Sequence, residues 1–353
     1  MSVEDTLSLR DHRQDDRIPA KRGSLGLQRP EIRGRGRFAA YKRSWKNGDI
    51  GMKCFLHWFV ASLAITAAIC LPAAMPPAAG QDAQGGGDPA LAQSPAPELV
   101  KMVPADRAGK PFVLAVALGS PPDDFCNDKG EIAGWEIDIV RAAIQSLGLQ
   151  LELRPTTFDT LIPGLQAKRF DAATGQMGVT IVREKVVDMI GTLLGNELFA
   201  ALADNPITVN SLEDLCGRTV ATTRGSREMV FADEYQPKCA AGGKQPINAL
   251  AFNDGNGAAE ALMSRRAEVY WLGSTAVSYF VAQSKGRTKV VGHYTDTSYI
   301  GPALPKGSDM AAPLQAAIQH LMDNGTYQKI VTKWGLQDGA VNKAPLNPTS
   351  AQK

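Results

Sequence analysis

The sequence has few of the residues that build metal centres, with four histidines and five cysteines among 353 residues. The histidines (His12, His57, His293 and His320) lie far apart, and none forms a metal-ligand spacing with a cysteine. No Gly-x-Ser-x-Gly elbow, Walker loop or dinucleotide fingerprint occurs. We therefore expect no metal site, no cofactor and no catalytic residues.

Basic residues are also scarce in the body of the chain, although the formal net charge is +2. Residues 1–51 hold 12 Lys and Arg against 7 Asp and Glu, so the remainder is mildly acidic. Binding to a phosphate backbone needs clustered Lys and Arg. We therefore expect no nucleic-acid partner.

One long apolar run covers residues 54–71, directly after Met52-Lys53, and small residues follow it up to Gly80. A positive start, an apolar core and a small-residue cleavage site form a secretory signal. We predict a signal peptide over 52–80 and export to the periplasm.

Because a signal begins so naturally at Met52, we interpret residues 1–51 as a basic leader that arises from an upstream mis-start. The alternative is that the apolar run stays in the membrane as an anchor, since its length is marginal for spanning and its basic flank would remain inside.

Export leaves three cysteines in the mature chain: Cys126, Cys216 and Cys239. In an oxidising compartment Cys216 and Cys239 could close a loop of modest length, worth about 3 kcal/mol on a chain-entropy estimate. The alternative is buried thiols, because the sequence does not fix the spacing of Cα atoms.

The body of the chain alternates strand-like apolar runs with helical patterns, which predicts parallel βαβ units and an α/β fold of two lobes. The runs cover residues 112–118, 137–147, 149–153, 161–167, 171–174, 219–223, 227–234, 249–252, 258–264, 268–272, 313–322 and 327–334. The flanking segments are poor in pattern, so we predict a flexible linker over 81–110 and a disordered tail over 341–353.

Arg183 stands out because it follows a turn with Gly175 and Gly178 and a short helical turn that begins near Thr180. Backbone N–H groups at a helix start attract an anion. An arginine fork adds two parallel charge-assisted bonds to a carboxylate. Taken alone, an arginine in such a place is more often solvated surface, so other segments must support the assignment.

Several segments resemble, in order, the extracellular solute-binding proteins of polar amino acid ABC importers, the family 3 group. The segments with the most specific likeness are Gly-Trp-Glu-Ile-Asp at 134–138, Phe-Asp-Thr-Leu-Ile-Pro-Gly-Leu at 158–165 and the stretch 176–188 with its Gln-Met-Gly and Arg183. Residues 214–221 and 239–247 resemble the subset with a disulfide in the second lobe, and the resemblance extends over about residues 111–340.

The resemblance implies a two-lobed periplasmic-binding-protein (Venus flytrap) fold. One lobe would comprise 111–193 and 300–340 and the other 197–296, with hinge crossings near 195–199 and 298–300. It also implies a monomeric, non-enzymatic protein that captures an amino acid or related small carboxylate and delivers it to an inner-membrane ABC permease.

The resemblance further assigns the site. Arg183 would grip the ligand carboxylate and Phe158 would lie against the ligand side chain, while Gly225 and Ser226 would contribute contacts from the second lobe. Met177, Gly178 and Thr180 would line the turn before Arg183, and Cys216 and Cys239 would form the disulfide.

The chain departs from the family pattern at three places. Gln176-Met177-Gly178 lacks a hydroxyl that usually precedes the arginine, and Ser120 or Asp123 stands where an aromatic residue is common. Gly273 aligns with the aspartate that usually receives the ligand's α-ammonium group. A buried ammonium group without a carboxylate is costly. Either Asp123, Asp124 or another acid replaces that aspartate, or the ligand lacks an α-amino group.

Two alternatives follow from these observations. The same fold hosts a few enzymes, including cyclohexadienyl dehydratases, and the missing ammonium anchor leaves that alternative open. A retained membrane anchor would instead favour a membrane-anchored ligand-sensing receptor module.

Overall fold

The computed structural model describes residues 87–107 and 109–349, and for residues 295 and 296 it describes only the backbone. The predicted leader and signal peptide therefore lie outside the described residues. So do the first part of the predicted linker and the last residues of the predicted tail.

The described residues form twelve strands and nine α-helices. The strands are β1 (Phe112–Ala117), β2 (Phe125–Cys126), β3 (Ile132–Ala133), β4 (Leu151–Thr156), β5 (Ala172–Thr174), β6 (Val187–Met189), β7 (Leu193–Leu202), β8 (Thr219–Thr223), β9 (Asn248–Phe252), β10 (Val269–Gly273), β11 (Thr288–Ile300) and β12 (Ala303–Pro305). The helices are α1 (Pro97–Val100), α2 (Trp135–Ser146), α3 (Phe158–Gln166), α4 (Ile181–Glu184), α5 (Arg227–Ala241), α6 (Gly255–Met263), α7 (Ser274–Gln283), α8 (Ala311–Asp323) and α9 (Thr326–Trp334).

Two five-stranded mixed sheets organise the molecule. The first has the order β4-β1-β5-β12-β6, and the second has the order β11-β7-β10-β8-β9. Strands β4, β1 and β5 are parallel, as are β10, β8 and β9. We call the part around the first sheet lobe one and the part around the second sheet lobe two. The predicted two-lobed α/β fold is confirmed.

Strand β1 shows why the central strands are apolar along their whole length. Its side chains alternate between two cores: Leu114 and Val116 pack with helices α2 and α8, whereas Ala115 and Ala117 pack with Leu161 of α3. A parallel strand that is covered by helices on both faces reads as a continuous apolar run. The carboxyl ends of such strands meet at one edge of the sheet, where ligands commonly bind.

Lobe two is built in the same way. Trp271 of β10 packs on one face with Phe199 of β7, and Tyr270 packs on the other face with helices α6 and α7. The predicted disulfide is present between Cys216 and Cys239, whose Cα atoms are 5.6 Å apart. It ties the end of α5 to the segment before β8.

Two predictions about the flanks are wrong for the residues that the structure describes. Within the segment predicted as a linker, Leu91 and Leu99 are buried in the core of lobe one. Within the predicted tail, residue Leu346 pairs with Ile190, and the Asn347 side chain donates a hydrogen bond to Asp188 Oδ1 at 2.9 Å. These segments are too short for a periodic pattern, and tertiary contacts hold them in place.

The sequence also did not predict the long antiparallel pair of β7 and β11, which runs along the edge of lobe two. Within residues 87–107 and 109–349, no helix has the length and apolar character needed to cross a membrane.

Candidate ligand-binding site

A cavity lies where the carboxyl ends of the parallel strands of the two lobes face each other. Lobe one contributes residues after β1, β4 and β5, and lobe two contributes residues after β8, β9 and β10. The lining residues are Ala117, Leu118, Ser120, Phe158, Gly175, Gln176, Gly178, Arg183, Thr223, Ser226, Arg227, Glu228, Asn253, Asp254, Leu272, Gly273 and Ile300. Its free volume is about 30 Å³, which is room for water but not for an amino acid.

Arg183 is fixed in this cavity from three sides. The Thr180 hydroxyl accepts a hydrogen bond from the Arg183 backbone N–H at 3.1 Å and caps α4. The guanidinium Nη1 donates to the carbonyl oxygen of Gly178 at 2.8 Å, and its carbon lies 5.4 Å from the centre of the Phe158 ring. The side chain is thus held in one orientation before any ligand binds.

The charge of Arg183 has no carboxylate partner within the described residues, where it forms no ion pair. Burial lowers the pKa of Arg183 to about 10, and the charge of Glu228 partly opposes that shift. The group stays cationic at neutral pH. An arginine that is held in place, charged and without a counter-ion is suited to bind a carboxylate.

Arg227 is a second arginine of the cavity, and it is already engaged. It forms an ion pair with Glu197, which is fully buried in β7, and its Nη1 donates to the Ser298 hydroxyl at 2.5 Å. Its charge is therefore compensated inside lobe two. Arg227 was not among the residues predicted to bind the ligand, although it directly follows Gly225-Ser226.

Two acids line the wall of lobe two. Glu228, in the first turn of α5, is only 5% exposed. Asp254 accepts a hydrogen bond at Oδ1 from the Gly257 N–H at 2.8 Å and so caps α6. Burial raises the pKa of Asp254, and the backbone bonds that it accepts lower it again in part. Neither acid was singled out from the sequence.

Most of the predicted ligand-binding residues come together here. Those that line the cavity are Arg183, Phe158, Gly178, Ser226, Ser120 and Gly273. Thr180 is not a lining residue, but it caps α4 and so positions Arg183. Gly225 lies next to the lining residue Ser226, and its left-handed backbone faces Asp159 of lobe one.

Met177 and Asp124 do not line the cavity, contrary to their predicted place beside the ligand. Met177 is 1% exposed and packs with Leu161 and Leu165 in the core of lobe one. Asp124 is fully buried at the end of the loop between β1 and β2, where burial and the neighbouring Glu136 raise its pKa well above the usual range.

A family model for the bacterial extracellular solute-binding proteins, family 3, matches residues 112–337. The chain belongs to this family. It is 31% identical to the arginine-binding protein ArgT of Corynebacterium glutamicum over 73% of this chain and 85% of the relative. It is 26% identical to the L-arginine-binding protein of Pseudomonas aeruginosa over 67% of this chain and 92% of that protein.

Among solved structures, an ancestral arginine-binding protein bound to arginine is similar, with 26% identity and a TM-score of 0.57. The similarity covers 63% of this chain and 97% of that one. These relatives carry the names of binding proteins rather than of enzymes.

The two glycines at which the chain departs from the family pattern lie opposite long side chains of the other lobe. A Cβ atom on Gly273 would lie 2.2 Å from Gln176 Nε2, and one on Gly178 would lie 2.9 Å from the guanidinium carbon of Arg227. The Gln176 amide donates a hydrogen bond to the Thr275 hydroxyl of lobe two. Each glycine therefore leaves room for a polar side chain that crosses the cleft.

Proposed function

We propose that this protein is the periplasmic solute-binding component of an amino acid ABC importer and that it binds an α-amino acid through Arg183. The observation that carries the proposal is the held, charged guanidinium of Arg183, which faces a cavity between two lobes and has no ion-pair partner among the described residues. Membership of family 3 supports the transport role.

We further propose a basic amino acid, with L-arginine as the first candidate. The names of two relatives, one of them 31% identical, support this choice. The cavity supports it as well, because its lining includes two acids, Glu228 and Asp254, while the lining residue Arg227 is neutralised by Glu197.

Ligand entry requires the lobes to separate, since the cavity of about 30 Å³ does not admit an amino acid. Contacts that join the lobes include the bond from the Asn256 N–H to the Gly119 carbonyl at 2.8 Å. We propose opening about the crossings at 195–199 and 298–300, between a lobe of 111–193 with 300–340 and a lobe of 197–296. The ligand then stabilises closure to the extent that it binds the closed state more tightly.

Export by cleavage of residues 52–80, a monomeric state and delivery of the ligand to an inner-membrane permease belong to the same proposal. The family's extracellular character supports export. Mass spectrometry of the protein from the periplasm tests it, and a mature chain that still contains residues before Gln81 would contradict the predicted cleavage.

The decisive experiment is a thermal-shift screen of the twenty L-amino acids and of dicarboxylates, followed by titration calorimetry with the best ligand. Arg183→Ala should weaken binding by on the order of 100-fold or more, because it removes a charged two-pronged contact. Arg183→Lys keeps the charge but loses the two-pronged contact. Its affinity should therefore lie between that of the wild type and that of Arg183→Ala. Lys185→Ala, which removes an exposed cation two residues away, is the matched control. Unchanged affinity in Arg183→Ala would overturn the assignment.

A further inference from the structure

Glu228 is a buried carboxylate that faces the cavity and that no other described residue binds. Its side chain is 5% exposed, and within residues 87–107 and 109–349 it forms neither a hydrogen bond nor an ion pair. Burial of a carboxylate without a partner is unfavourable. Such a group is stabilised when a cation enters the cavity.

The position of Glu228 in its helix does not explain this arrangement. A carboxylate in the first turn of a helix interacts favourably with the helix dipole. That interaction is equally available to a solvated acid and gives no reason for burial against a cavity. The first-turn position therefore accounts for an acid at this place but not for its orientation.

Glu228 and Arg183 are near each other but do not pair. The charge of Glu228 supports the charged form of Arg183, so the two groups interact across the cavity. Neither forms an ion pair with the other, and the adjacent Arg227 is taken by Glu197. The lining of the cavity thus includes one cation, Arg183, and one anion, Glu228, neither of which forms an ion pair within the part of the chain that the structure describes. An α-amino acid carries the complementary pair, since its carboxylate and ammonium groups are attached to the same carbon.

Asp254 is placed for a different part of the ligand. One of its oxygens is used by the cap of α6, and its side chain lies against Gly119 and the first loop of lobe one. Arg183 is instead held by Gly178 and Phe158. Asp254 thus lies at the loop after β1 rather than at the turn that holds Arg183, and it is left for the ligand's side chain.

We propose that Glu228 receives the α-ammonium group of the ligand while Arg183 binds its carboxylate. This inference rests on the proposed function and adds to it a specificity-determining residue on lobe two. Gly273, the position that aligns with the usual ammonium-binding aspartate, carries no side chain. The amide of Gln176 fills the space beside it.

The test is a thermodynamic cycle between the protein and the ligand. The wild type and Glu228→Gln are titrated with L-arginine and with 5-guanidinopentanoate, which is arginine without its α-amino group. The wild type should bind 5-guanidinopentanoate on the order of 100-fold more weakly than L-arginine, because it loses a buried charge-assisted contact. Glu228→Gln should bind L-arginine with a similar loss and should no longer distinguish the two compounds.

Two further variants separate a ligand contact from a structural role. Glu234→Gln makes the same chemical change at an exposed position of the same helix and should leave the affinity unchanged. Glu228→Asp keeps the charge but withdraws it, so it should recover part of the discrimination between the two compounds. If the screen finds a tighter amino acid than arginine, the cycle is run with that amino acid and its form without the α-amino group.

Unchanged affinity of Glu228→Gln for the amino acid would overturn the proposal. An equal weakening of both compounds would also overturn it, since that outcome describes a general disturbance of the cleft. Either result leaves the proposed function intact if Arg183→Ala strongly weakens ligand binding. Absence of binding to every amino acid by the wild type would instead overturn both proposals.

Discussion

Lobe one and lobe two each bring an arginine to the cleft, but the two arginines stand in opposite electrostatic surroundings. Arg183 of lobe one is held by a backbone carbonyl and an aromatic ring, neither of which neutralises it. Arg227 of lobe two is paired with the buried Glu197. The same residue type therefore serves a ligand in one wall and the fold in the other. The neighbouring charges, and not the residue type, decide whether an arginine binds a ligand or stabilises the fold.

The largest expected effect concerns Arg227. Arg227→Ala removes the cation from the buried Glu197, and loss of one partner of a buried ion pair costs about 3 kcal/mol or more of stability. Arg183→Ala should change the free energy of unfolding by less than about 1 kcal/mol while it strongly weakens ligand binding. Urea denaturation of both variants measures this contrast, and Arg224→Ala, at an exposed neighbour of Arg227, serves as the control.

Equal destabilisation by Arg183→Ala and Arg227→Ala would contradict the proposed contrast between the two arginines. It would mean that both arginines are structural and that neither is reserved for a ligand.

The disulfide between Cys216 and Cys239 in lobe two gives the next effect. The bond closes a loop of 23 residues, so its removal should cost about 3 kcal/mol on a chain-entropy estimate. In a Cys216→Ser/Cys239→Ser double variant, hydrogen exchange should accelerate in β8 to β10 more than in β1 to β5. Uniform acceleration over both sheets would show instead that the lobes unfold as one cooperative unit.

The third effect belongs to lobe one and depends on pH. Burial raises the pKa of Asp123 to about 8, although the Trp135 indole N–H donates to its Oδ1 at 2.5 Å. The unfolded value is about 4. Between these two values the folded state keeps a proton that the unfolded state releases. The contribution of Asp123 to the free energy of unfolding should therefore be fully present below about pH 4. It should fall by on the order of 1 kcal/mol per pH unit as the pH rises towards about 8.

Asp123→Asn should reduce that slope, because an amide does not titrate and its oxygen still accepts from Trp135. Denaturant melts from pH 5 to pH 8.5 measure the slope, and Asp128→Asn, at an exposed position nearby, should leave it as it is. A slope in Asp123→Asn as steep as in the wild type would contradict a protonated Asp123.

The smallest effect concerns Asp254, the acid of lobe two that lies at the loop after β1. Asp254→Asn keeps the cap of α6, since an amide oxygen accepts the Gly257 N–H as a carboxylate does. It should lower the affinity for arginine by about tenfold relative to glutamine, because only the basic side chain loses a charged partner. Competition titrations measure the ratio, and equal losses for both amino acids would place Asp254 outside the side-chain end of the cavity.

The sequence by itself determined the alternation of the parallel strands with their helices, the two lobes and the family. These features depend on local periodicity and on motifs with fixed spacing, as in the segment from 158 to 165 that begins with Phe158. It also pointed to Arg183, because a glycine turn before a short helix is a local anion-binding pattern. The resemblance to the family also predicted the pairing of Cys216 with Cys239, which is present in the structure.

Only the tertiary structure decided which charges are compensated. Arg227 and Glu197 are thirty residues apart in the sequence and become partners because the start of β7 and the carboxyl ends of β10 and β8 lie at the same edge of the sheet. Glu228 and Asp254 reach the cavity because the carboxyl ends of β8 and β9 lie side by side. Burial and charge pairing arise from contacts between distant segments, and local patterns do not encode them. The sequence shows which charged residues are present. Packing decides which of them pair within the fold and which remain for a ligand.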